Sequence, residues 1–292
     1  MKKLLFLPII SILIGCGGGS SYSYEEDIEP TAKITEDDAR FLAPLVYETA
    51  DRFPRGVLQY SRALSVNQAL EQEEEEEVVY LPDEGVDECD EGNITITYLK
   101  GSSSDKYNLS GSVEYKEVYN SCNNGYYTQI GTIKNEKEWS KEDNITTIDE
   151  NYLQEGEFNY IKDSDNSYRR KSFEGVSHEK RNEENSTYSY LTKYEGELKY
   201  EGKLYNFKNF KKDESVTYSF AQPGIFLKEV ELTGIIDSKE FDGTVDVKTI
   251  KKLKFESDCI DGEIEIKASN HTVSIVCSED GVKYYFDKEE LD

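Results

Sequence analysis

Cys259-Ile-Asp-Gly-Glu-Ile-Glu-Ile-Lys267 alternates apolar and charged side chains behind an Asp261-Gly262 turn signal. An Asn270 turn then leads into a second strand-like run, His271 to Val276, which ends at Cys277. A period of two is that of a β-strand with one dry and one wet face. The same unit stands earlier in the chain. Cys89-Asp-Glu-Gly92 precedes Asn93-Ile-Thr-Ile-Thr-Tyr98, a Gly101-Ser-Ser-Ser turn follows, and another run leads to Cys122. Each unit reads as a hairpin bracketed by cysteines.

Outward from these hairpins, strand-like runs recur at intervals of about 8 to 15 residues from Val78 onward. Tyr126 to Ile130, Phe158 to Ile161, Thr187 to Leu191, Val216 to Phe220 and Tyr284 to Phe286 are examples. No crossover-helix pattern separates them, which argues against parallel βαβ units. Asn and Asp turn signals favour successive hairpins, giving a mainly β fold: an antiparallel meander of roughly 11 to 14 strands. So many strands twist into one large curved sheet, either an open half-barrel or a closed barrel. A transmembrane barrel needs a continuous lipid-facing apolar band. Lys and Glu occupy too many outward positions here for that.

Ahead of the sheet, Thr35 is a good N-cap, and Glu36, Asp37 and Asp38 place anions in a first helical turn. Ala39, Leu42, Ala43, Val46, Ala50 and Phe53 follow at helical spacing. Pro44 is expected to kink or split this helix. A second helix is expected from Val57 to about Leu70, then a solvated acidic stretch from Glu71 to Glu77. The helical segment would cover the concave face of the sheet or a mouth of it.

The chain has 292 residues and a formal charge of −26. That acidity argues against nucleic acid as a partner. Basic clusters at Arg169-Arg170-Lys171, Lys211-Lys212 and Lys251-Lys252-Lys254 each lie beside acidic residues, and read as mixed-charge solvated faces. Hydrophobic residues make up only 36%, but 22 Tyr and 12 Phe supply apolar mass suited to half-buried sheet faces.

Met1 to Cys16 reads as an export signal. Lys2 and Lys3 precede an apolar run, Leu4 to Ile14, too short to span a bilayer, and Leu13-Ile14-Gly15-Cys16 ends it in small residues and a thiol. Gly17 to Ser21, continued by polar residues to Pro30, is a flexible tether by composition. Four further cysteines remain. In an exported chain they read as two disulfides, with three connectivities open and local pairing, Cys89 with Cys122 and Cys259 with Cys277, favoured.

No catalytic constellation stands out. The chain has two histidines, His178 and His271, both read as surface residues, and no GxSxG elbow accompanies them. A Ser-His-Asp arrangement remains open by sequence order alone. No cofactor or metal motif is present: Asp163, Asp165, Ser167 and Glu174 match part of a calcium loop, but Tyr168 stands where the sharp turn needs Gly. Five asparagines head N-x-Ser/Thr sequons. Asn93, Asn144 and Asn185 also carry an acid two residues before, as in the extended acceptor of bacterial N-glycosylation. Turn chemistry accounts for asparagines at such positions equally well.

Leu13 to Cys16 resembles a bacterial lipobox, which implies diacylglycerol on the Cys16 sulfur, cleavage before Cys16 and acylation of the new N-terminus. Cleavage would leave 277 residues, and loss of Lys2 and Lys3 a charge of −28. Gly17, in place of Asp, implies the outer membrane by resemblance to enterobacterial sorting. Together with the tether, the helix start Ile34-Thr35-Glu36-Asp37-Asp38-Ala39 and the two Cys-bracketed hairpins, the chain resembles a group of uncharacterised bacterial lipoproteins. That resemblance implies a layout and no reaction. Two functions are therefore expected in competition. One is a non-enzymatic, lipid-anchored envelope protein of structural or interaction type. The other is a carrier or chaperone for an apolar ligand held in a concave sheet.

Overall fold

The computed structural model describes residues 29–52, 77–123, 125, 127–161, 167–182, 185–219 and 226–291. The segment read as an export signal, with Cys16, most of the expected tether, the second helix expected over 57–70 and most of the acidic stretch lie outside them, as do Asp163 and Asp165.

Among the described residues one helix, α1 (Glu36–Arg52), precedes the strands. These are β1 (Gly85–Glu88), β2 (Glu91–Lys100), β3 (Ser110–Asn123), β4 (Tyr127–Glu142), β5 (Ile145–Ile161), β6 (Ser167–Arg181) and β7 (Asn185–Tyr200). After them come β8 (Lys203–Ser219), β9 (Phe226–Ser238), β10 (Gly243–Phe255), β11 (Cys259–Lys267), β12 (Thr272–Ser278), β13 (Gly281–Phe286) and β14 (Glu289–Glu290). All 14 strands form one open antiparallel sheet in which chain order is spatial order. Its two edges are short and acidic. The four residues of β1 are all exposed and include Asp87 and Glu88, and β14 is Glu289-Glu290. Short charged edges discourage pairing with another sheet.

Helix α1 starts as its sequence dictates. The Thr35 hydroxyl accepts from the Asp38 amide at 3.3 Å, and the Asp38 carboxylate accepts from the Thr35 amide at 2.8 Å. That reciprocal pair satisfies two otherwise orphaned donors. Of the two outcomes expected of Pro44, a kink or a split, the split does not occur: α1 runs through it. An interior proline costs about 3 kcal/mol. Leu42, Ala43, Leu45, Val46 and Ala50, all fully buried, offset that by packing into the sheet core. The helix lies against β9, β12 and β13, at one side of the sheet. At its carbonyl end the Lys228 ammonium donates to the Asp51 backbone oxygen at 2.8 Å and its carboxylate at 2.6 Å, a cation where the helix dipole favours one. The chain ahead of α1 is stapled to the same side. Asn270 accepts from the Ile34 amide and donates to the Ile34 carbonyl, each at 3.0 Å.

Strands β4 to β8 run to 15–17 residues, far beyond the short runs legible in sequence. Strands of that length cannot lie flat. A line of register shifts crosses them at Tyr119/Cys122, Glu155/Phe158, Arg170/Ser172, Tyr194/Gly196 and Lys208/Lys211, each laterally next to the last. Bulges bend strands and increase their twist, so this line is a crease. Gly131 and Gly156 are paired on it at φ +121° and +123°, and a Cβ on Gly131 would lie 2.2 Å from the Glu155 carbonyl oxygen. Only glycine fits there.

The bend collects an aromatic core on the buried face. Tyr152 stacks on Phe173 at 5.1 Å, Tyr194 meets Phe210 at 5.4 Å, and Phe207 meets Phe210 edge-on at 4.9 Å. A smaller cluster under residues 78–81 joins Val78, Val79 and Leu81 to Tyr115, Trp139 and Ile148. Both disulfides have the local connectivity, Cys89–Cys122 and Cys259–Cys277, with Cα separations of 5.5 and 5.6 Å.

Candidate functional site

The two faces of the sheet differ in an unexpected way at the centre. On the face that packs inward, Glu150, Gln154, Ser177, Glu179, Thr192, Lys212 and Glu214 are all buried. On the outward face of the same strands stand Leu153 and Val176, 40% and 44% exposed. At the centre of β5 to β8 polar groups thus lie inward among the aromatic core, while Leu153 and Val176 stand outward among charged neighbours.

Ion pairs and ring contacts hold the inward polar groups. Lys137 lies 3.3 Å from Glu150 and donates to the Tyr80 carbonyl at 3.2 Å. Lys212 lies 2.6 Å from Glu214. Arg170 corrects the solvated-face expectation for its cluster. Arg169 and Lys171 point outward to Glu157 and Glu197, whereas Arg170 is 1% exposed. Its guanidinium donates to Gln154 and sits 4.0 Å from the Phe173 ring centroid and 5.0 Å from that of Phe158. Burial pulls its pKa below the usual guanidinium value. Lys212 likewise departs from its solvated expectation. Lys251, Lys252 and Lys254 conform to it, pairing on the open face with Asp261, Glu231 and Glu229. Beside the inner pairs, the Glu117 carboxylate accepts from the Tyr119 hydroxyl at 2.5 Å. Burial pushes the Glu117 pKa above the usual carboxylate value, against the lowering effect of that hydrogen bond.

The outward face carries the candidate site, a groove of about 780 Å³ over the centre of β4 to β8. Its floor is Leu153, Val176 and Leu191, with Lys134, Lys193, Glu136 and Asp213 around it. Lys193 is tied to Glu174 at 3.1 Å. Asp149, His178 and Ser189 stand side by side in register at one end, and the His178 Nδ1 lies 2.8 Å from the Asp149 carboxylate. This is the order of a Ser-His-Asp arrangement, but Ser189 makes no hydrogen bond with His178. The groove therefore offers shape and charge for binding, without an assembled nucleophile. Among the described residues no group of three or more His, Cys, Asp or Glu is placed to hold a metal, and no helix is long and apolar enough to cross a membrane.

The other residues singled out in sequence are scattered. His271 is paired at 2.5 Å with Asp287, far from His178 in the sheet order. Ser167 and Glu174 lie in β6, which is a strand and not a calcium loop. Asn144 is exposed in the β4–β5 turn and Asn185 opens β7. Asn93 is not in a turn: it lies within β2, where its side-chain oxygen accepts from Asn120 at 2.8 Å. The floor residues of the groove carried no sequence signal, because an apolar residue in a strand is assigned inward by default and only the register brings these three together.

Comparison of the chain with protein-family models, with curated proteins and with solved structures finds no match.

Proposed function

We propose that the chain is a lipid-anchored cell-envelope protein, held by acyl groups on Cys16 and placed in the outer membrane, whose β body acts by interaction and not by catalysis. The resemblance of Leu13 to Cys16 to a lipobox supports the anchor, and two local disulfides fit an oxidising compartment. One observation carries the choice of interaction over ligand carriage. The inward side chains of the sheet are buried in the protein's own aromatic and aliphatic core, while the open face presents the groove. A carrier would reserve its inner face for cargo.

Two measurements test this. Intact-mass spectrometry of the membrane-extracted protein should show a diacylglyceryl-modified, acylated Cys16 as the first residue, and Cys16→Ser should abolish it. Organic extraction of the purified protein should release no apolar molecule in stoichiometric amount. Release of one such molecule per chain would replace the interaction function with the carrier.

A further inference from the structure

We propose that the open-face groove binds an amphipathic, cationic helical segment of a partner protein. This rests on the interaction function above and names the chemistry of its partner. Five side chains form one straight row across the strands: Glu136 is paired with Asn151, Asn151 with Val176, Val176 with Leu191, and Leu191 with Asp213. The row therefore reads carboxylate, amide, two aliphatics, carboxylate. Neighbouring strands are about 4.8 Å apart, so the two carboxylates are about 19 Å apart.

A helix laid along that row rises 1.5 Å per residue, so about 13 residues separate the side chains that meet its ends. Cations at those ends would face Glu136 and Asp213, neither of which has a cation within 4.0 Å, whereas the groove's Lys193 is already held by Glu174. An apolar stripe between them would cover Val176 and Leu191, with Leu153 beside it. An extended strand cannot join the sheet here, because the backbone of β4 to β8 is paired on both sides. The occupant must bind through side chains, and a helix is the element that presents a stripe of them.

The test uses the full-length protein in detergent micelles and a synthetic helical peptide of about 16 residues, Leu along one face and Lys at both ends. A control peptide carries Glu at both ends. Fluorescence anisotropy should show saturable binding of the Lys-ended peptide only. Val176→Asp, at an exposed position, and Leu191→Asp, at a half-buried one, should each weaken it about tenfold or more. The double variant Glu136→Lys, Asp213→Lys should do the same and flatten the salt dependence. Leu227→Asp, exposed on β9 outside the groove, should leave binding unchanged, and circular dichroism confirms that every variant is folded. Absence of saturable binding, equal binding of both peptides, or indifference to the groove variants would overturn the proposal. So would concentration-dependent self-association abolished by Val176→Asp, which would assign the groove to a second copy. Peptide binding by a protein found unacylated at Cys16 would remove the anchor and leave the groove assignment standing.

Discussion

Tyr152 lies across Gly175, its directly paired neighbour on the next strand, so closely that a Cβ at 175 would sit 2.2 Å from the phenol oxygen. The aromatic ring occupies the space that glycine leaves, and then stacks on Phe173. Gly175→Ala is therefore expected to destabilise the fold by about 1–3 kcal/mol through overpacking. In urea denaturation, Tyr152→Leu should recover part of that loss in the double variant. Additive effects of the two substitutions would contradict the contact.

Arg170 is buried among rings with an amide, Gln154, as its hydrogen-bond acceptor. A buried cation costs several kcal/mol of desolvation, which ring contacts recover only in part. Arg170→Met, which keeps the stem, is expected to change stability by less than about 1 kcal/mol or to raise it. Arg170→Ala, which also opens a void, should cost about 2–4 kcal/mol. A thermal melt of the two variants separates charge from packing.

Glu117 titrates above the usual carboxylate value because it is buried. A carboxyl whose folded pKa is raised contributes stability that is fully present below its unfolded pKa and is lost as pH rises through its folded pKa. Glu117→Gln keeps the shape and removes that titration. Relative to the native chain, the variant is expected to gain stability as pH rises above about 4. Urea midpoints across that range provide the measurement, and a constant offset would contradict the assignment.

The disulfides close segments of 33 and 18 residues. Chain entropy gives about 3–4 kcal/mol for each, slightly more for the longer loop. Replacing both cysteines of either pair by Ser should lower the melting temperature, with Cys89/Cys122 costing at least as much as Cys259/Cys277. Mass spectrometry of non-reduced peptides should recover these two pairs and no crossed one.

Much of this fold was legible because its determinants are local. Strict alternation in Ile94 to Tyr98 and Glu263 to Lys267 marks strands regardless of what they pair with, and Thr35 with Asp38 caps α1 within four residues. The asparagine, aspartate and glycine turns join each strand to the next one. A chain of such hairpins has one simple antiparallel order, which is the order observed. Pro44 does not split α1, because its cost is local while the packing that offsets it comes from β9, β12 and β13. Arg170 was misplaced for a related reason: it was judged by its own polarity.

What the amino-acid sequence determined by itself was the strand period, the hairpin order and the helix start, since each depends on neighbours within a turn or two; it favoured the local cysteine pairs but left three connectivities open. What only the tertiary structure decided was which phase of β5 to β8 faces inward and where the sheet creases. Register, bulges and aromatic packing across many strands set those together. In a strand of 15–17 residues the few positions at the centre follow the face chosen by the rest, even when that turns valine and leucine outward and buries arginine and glutamate.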